Sequence, residues 1–106
     1  MYRPLITFAF LVLTSSIFSQ NFGSLKGKVL NSETGFPLEG ATIIVEDSDF
    51  FAISDQNGFF QILDLPTTSY NITTSFIGFK SQTKFNVIVK SVGNQSLDFT
   101  LSPLSD

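Results

Sequence analysis

The chain has 106 residues, room for one domain, with 42% hydrophobic residues, 14% charged residues and a formal net charge of -3. That acidic balance argues against nucleic acid and anionic membrane surfaces as partners. Cysteine and histidine are both absent, which excludes disulfides and Ser–His or Cys–His nucleophile pairs, and removes the two favoured ligands of zinc.

Residues 1–19 read as a secretory signal peptide. Met1, Tyr2 and Arg3 supply a positive start, Leu5 to Leu13 an apolar stretch interrupted only by Thr7, and small polar residues follow. Cleavage is expected after Ser19. The competing reading is a retained anchor, but the run is short of the ~20 apolar residues that a permanent span needs. No cysteine adjoins the cut, so lipid attachment at that point is not expected. Removing the leader leaves Lys26, Lys28, Lys80, Lys84 and Lys90 against all of the acids.

Residues 20–106 form the remaining domain, and their alternation has the period of strands, with no helical period. Leu25, Gly27 and Val29 alternate with Lys26, Lys28 and Leu30. After the turn-rich "NSETGFPLEG", Ala41, Ile43 and Val45 alternate with Thr42, Ile44 and Glu46. Phe51 to Ser54 is a short strand that enters the polar turn "SDQNG", and Phe60 and Ile62 lie beyond it in a run broken at Pro66. Tyr70, Ile72, Thr74 and Phe76 share a face, and Gly78 marks a bend. Phe85, Val87 and Val89 form the next inward set, "KSVGNQ" a turn, and Leu97, Phe99 and Leu101 the last set. About seven short strands at this spacing predict an all-β, antiparallel, two-sheet sandwich.

Four segments carry a resemblance: Gly27-Lys28-Val29, Pro37-Leu38-Glu39-Gly40-Ala41, Ser54 to Phe60, and Tyr70 to Phe79 ending in "FIGF". Together they resemble the carboxypeptidase regulatory-like domain, a transthyretin-like β-sandwich. The likeness is to the version at the N-terminus of TonB-dependent outer-membrane receptors of Bacteroidota. Ser54 stands where that family usually has Thr, and Phe79 where it often has Tyr. The resemblance implies an exported protein, periplasmic or outer-membrane-associated. It also implies a non-catalytic spacer or docking role beside a receptor or another envelope protein. In the receptors a plug and a barrel follow this domain, and neither lies within these residues. A receptor fragment, a truncated product and a free-standing copy are therefore all open. A stand-alone binding domain for glycans or peptides is the alternative function.

Three groups of residues invite a chemical reading. Asp47, Asp49, Asp55 and Asn57 are oxygen donors of the hardness calcium prefers, yet no contiguous loop closes on a bidentate Glu. In the other reading Asp55 accepts N–H groups within its own turn, Asn57 tolerates a left-handed conformation and Gly58 permits a positive φ. The residues favour that turn. Glu46, Asp47 and Asp49 could formally supply a carboxylate pair of the glycosidase kind, but acids at a strand end ordinarily mark a solvated turn. Phe22, Phe36, Phe50, Phe51 and Phe59 are expected to cap the open ends of the sandwich, the alternative being an exposed patch. Lys80, Lys84 and Lys90 guard a late strand against edge pairing. No catalytic, cofactor-binding or metal-binding residue is assigned, no cofactor is expected, and the chain is not expected to be an enzyme.

Overall fold

The computed structural model describes residues 21–92 and 95–105. The leader predicted for residues 1–19 lies outside the described residues, as do Gly93 and Asn94 of the last turn. Seven strands follow in chain order: β1 (Phe22–Asn31), β2 (Thr42–Val45), β3 (Phe51–Ile53), β4 (Phe59–Pro66), β5 (Ser69–Ser75), β6 (Gln82–Ile88) and β7 (Phe99–Leu101). They pair as a three-stranded sheet, β4-β1-β7, and a four-stranded sheet, β3-β2-β5-β6. Among the described residues no helix is long and apolar enough to cross a membrane.

The alternation in β1, β2 and β5 does what period two requires. Leu25 and Val29 from β1, Ala41, Ile43 and Val45 along β2, and Ile72 from β5 are all buried. Phe60, Ile62, Leu65, Phe99 and Leu101 fill the core from the first sheet. Each such side chain stabilises by ~1.5–3 kcal/mol relative to an exposed one. Gly27 sits where β1 must pass close to the chain before β7. A Cβ there would strike the Leu97 carbonyl oxygen, so the inward position between Leu25 and Val29 has no room for a side chain.

Three departures from the expected pattern have local causes. First, β7 pairs with β1 in parallel, Val29 opposite Phe99 and Asn31 opposite Leu101, so the sandwich is antiparallel in every strand pair but this one. Second, Phe85 is exposed rather than inward. A bulge between the Tyr70–Val87 and Ile72–Lys84 pairs, with Asn86 at φ 56, shifts the phase of β6. Val87 and Val89 therefore face the core and Phe85 faces away. Third, a bulge in β4 places one extra residue between Ile62 and Leu65, with Asp64 at φ 59. Leu63 keeps the outward face that alternation gives it, and the extra residue brings Leu65 into the core.

Thr74 is fully buried, and its hydroxyl has no hydrogen-bond partner. An unpartnered buried hydroxyl costs ~1–3 kcal/mol. Thr74→Val keeps the shape and removes the oxygen, so it is expected to raise stability by about 1 kcal/mol. The check is the urea midpoint, which should rise at unchanged slope.

Candidate functional site

The "SDQNG" corner follows β3 and reverses the chain into β4. Asp55 Oδ1 accepts the N–H of Asn57 at 2.8 Å and that of Phe59 at 3.0 Å. The Asp55 N–H donates to the Phe59 carbonyl at 2.9 Å, and the Gly58 N–H to the Asp55 carbonyl at 2.8 Å. The left-handed residue is Gly58, at φ 79. Asn57, which could tolerate that conformation, is not called on to adopt it, because the glycine beside it absorbs the reversal without steric cost.

Ser54 ties this corner to "PLEGA". Its hydroxyl donates to the Leu38 carbonyl at 2.6 Å and accepts the Ala41 N–H at 2.9 Å. Its backbone accepts from Gly40 and donates to Ala41. Pro37 lies against Gly58, where a Cβ would meet the Pro37 Cβ at 2.9 Å and the Val29 carbonyl oxygen at 2.7 Å. The spacing between the two motifs therefore has a mechanical meaning: one segment is fastened under the other. Sequence reading singled out the motif pair but did not identify Ser54 as the fastener. Its signal was a small hydroxyl residue at the end of an apolar strand.

The oxygen donors weighed for calcium are not brought together. Asp47 and Asp49 lie in the β2–β3 hairpin, while Asp55 and Asn57 lie beyond the opposite end of β3, so that even Asp49 and Asp55 are separated by six residues of extended chain, roughly 20 Å. Within the hairpin, Asp47 occupies φ 63. Ser48 donates to the Val45 carbonyl at 2.7 Å and accepts the Phe50 N–H at 3.0 Å. Glu46 Oε2 accepts the Thr73 hydroxyl on the outer face. Among the described residues no three acidic side chains gather into a metal-binding group. Asp55→Ala should cost about 0.5–1.5 kcal/mol by removing the acceptor of two solvent-exposed N–H groups, and Asp55→Asn, which keeps an acceptor oxygen, far less. Thermal melts of the two variants check the difference.

The aromatic residues depart from expectation. Of the five expected to cap the sandwich ends, only Phe50 packs against the core, whereas Phe22, Phe36, Phe51 and Phe59 are exposed. They do not share one patch: Phe22 pairs near Pro66 and Phe59 near Lys28, at opposite ends of β1. The Lys28 ammonium lies 5.2 Å from the Phe59 ring centre. Phe51 belongs to a separate apolar group. It lies across from Ile44, and Ile53 across from Thr42, so Phe51 (61% exposed), Ile53 (58%) and Ile44 (41%) face outward together. The cause is the phase of β3, in which Phe50 and Ala52 point inward. A groove of about 470 Å³ runs beside this strand, lined by Ile53, Asp55, Phe59, Phe60, Gln61 and Lys26.

Of the late lysines, Lys84 does more than guard an edge. Its ammonium lies 5.2 Å from the Phe99 ring centre and donates to the Asp98 carbonyl, and so covers the end of the core.

The family model of the CarboxypepD_reg-like domain matches residues 25–105. Carboxypeptidase D of Homo sapiens is 38% identical over 79 residues, and that of Anas platyrhynchos 35% over 79 residues. The match takes in 74% of this chain and 6% of either relative. Among solved structures, a chain of a type II cohesin–X-dockerin complex from Acetivibrio cellulolyticus superposes with a TM-score of 0.64 at 18% identity, covering 74% of this chain and 56% of that one. A candidate carbohydrate-binding protein from Bacteroides uniformis gives 0.61 at 18% identity, over 78% of this chain and 42% of that one. At these identities the structures speak for the sandwich alone.

Proposed function

Because the chain belongs to the CarboxypepD_reg-like domain family, a regulatory-like sandwich and not the catalytic domain of a carboxypeptidase, we propose that it is an exported module that works by contact with another protein and performs no chemistry. The setting we propose is TonB-dependent nutrient uptake at the outer membrane, with the module as a spacer or docking domain near a receptor's plug. The observation that carries a contact role is the contrast around β3. The polar groups of its flanking turns are spent on their own backbone, while Phe51, Ile53 and Ile44 face outward. Apolar side chains gathered on an open face are the usual mark of an interaction surface. The cell-envelope setting draws its support from the receptor-like motif pair and from the leader-like residues 1–19.

Affinity capture from an envelope extract, using the tagged chain as bait, tests the proposal. Recovery of a TonB-dependent receptor or a TonB component is expected, and its consistent absence from the captured proteins counts against this setting. A second reading, glycan binding, is favoured by one feature: the half-exposed Phe59 ring beside the groove that Asp55, Gln61 and Lys26 also line. Sugar stacking needs such a ring beside polar groups. A glycan array that lights up for the chain and goes dark for Phe59→Ala would favour this second reading over the first.

A further inference from the structure

We infer that the free edge of β3 receives an extended segment of a partner protein, a strand carrying lysine or arginine among alternating apolar residues. The inference rests on the docking reading above and names the place and chemistry of the contact.

The sandwich has four strand edges, and three are obstructed. β4 carries the bulge at Asp64, and β6 the bulge at Asn86. β6 is further covered by Lys84, which reaches the Asp98 carbonyl, and by Gln82, whose Oε1 accepts the Thr100 N–H at 3.3 Å. That same bond, together with the Lys80 N–H to Ser102 carbonyl bond and the Phe79–Pro103 bridge, occupies the β7 side. Bulges and covering side chains are how sheets blunt their edges. At β3 the described residues provide neither.

The ladder fixes which backbone groups β3 has left to offer. Val45 donates to the Phe50 carbonyl, Gly40 donates to the Ser54 carbonyl, and Ser54 donates to the Ala41 carbonyl. Phe50 and Ser54 therefore turn their groups toward β2. Antiparallel alternation then points the N–H and C=O of Phe51 and Ile53 away from it. An added strand would bond to these groups. One row of its side chains would lie over Phe51, Ile53 and Ile44, and the other would enter the groove beside Phe59 and Phe60. Main-chain bonds hold such a strand, and alternate side chains select it.

Charge selects the occupant. Between Glu39 and Asp64 the sequence holds neither lysine nor arginine. Asp47 and Asp49 stand at one end of β3 and Asp55 at the other. The base that lines the groove is Lys26, on β1. A strand with cations at its ends would meet carboxylates at both, and an acidic strand would be repelled.

The test uses a fluorescent peptide alternating lysine with valine, a matching peptide with glutamate for lysine, and the purified chain. Anisotropy should show saturable binding of the basic peptide, weakening as salt rises, and none of the acidic one. Ile53→Pro removes an N–H that faces the open side and should leave pairing with β2 in place. It is expected to weaken binding roughly tenfold or more. Should that variant fail to fold, Phe51→Ser combined with Ile53→Ser must show the loss instead. Amide shifts on binding should centre on Phe51 and Ile53, whose N–H groups face the open side. No binding by the natural chain, equal binding by a folded edge variant, or self-association in place of peptide binding would each overturn the inference. Receptor capture that survives Ile53→Pro would leave the docking function standing and discard only this edge. Peptide binding without any receptor capture would do the reverse.

Discussion

Phe99→Ala is expected to destabilise the domain by about 3–5 kcal/mol, the range for truncating a buried aromatic ring. The ring is fully buried, and its centre lies 6.2 Å from that of Phe60 in a tilted arrangement. It also comes from β7, whose parallel pairing with β1 joins the last described strand to the first. Single domains of this size hold about 5–10 kcal/mol in total. The variant should therefore keep little of its margin, and a fraction of it should be unfolded at physiological temperature. Denaturant unfolding followed by far-ultraviolet circular dichroism reads the loss. A cost under about 1 kcal/mol would mean that the ring is not where the core depends on it.

Gly58→Ala is the second large effect, for a different reason. Gly58 stands at φ 79, where a Cβ costs roughly 1–2 kcal/mol by itself. The new methyl would also press on the Val29 carbonyl oxygen and on Pro37. Neither can yield easily, since Val29 is fully buried and its carbonyl already accepts the Leu38 N–H. Crowding of this kind adds ~1–3 kcal/mol. The expected total is about 2–5 kcal/mol. Gly35, also at positive φ, has nothing within 4 Å of an added Cβ and supplies the control. Gly35→Ala should show the conformational penalty alone, so the difference in melting temperature between the two variants isolates the crowding.

The strands were legible wherever alternation ran unbroken: Leu25 to Val29, Ala41 to Val45, and Tyr70 to Phe76. The pairing of "PLEGA" with "SDQNG" was legible too, and the structure supplies its cause in the bonds of Ser54 and the closeness of Pro37 to Gly58. What sequence missed lies beyond single left-handed residues. Asn86 and Asp64 each insert one residue into a ladder. Everything on their far side then changes face, which is how Phe85 came out and Leu65 went in. Such a residue leaves no mark in hydrophobic periodicity, because Asn and Asp are as common in ordinary turns as in bulges. The outward phase of β3 was missed for a related reason. In "FFAIS" both registers present apolar side chains, and only the anchoring of Ser54 decides between them. The parallel partnership of β1 and β7 joins segments about 70 residues apart, as the bond from the Lys28 N–H to the Asp98 carboxylate illustrates. No local pattern announces a contact of that range.

The turn carboxylates serve backbone geometry and not a ligand: Asp55 Oδ1 is occupied by the N–H groups of Asn57 and Phe59. Calcium titration of the purified chain, followed by amide spectra and melting temperature, tests it most directly. Unchanged spectra and an unchanged melting point are expected at millimolar excess of the ion. Saturable one-to-one binding that disappears in Asp55→Ala, while that variant keeps its β-sheet spectrum, would contradict it.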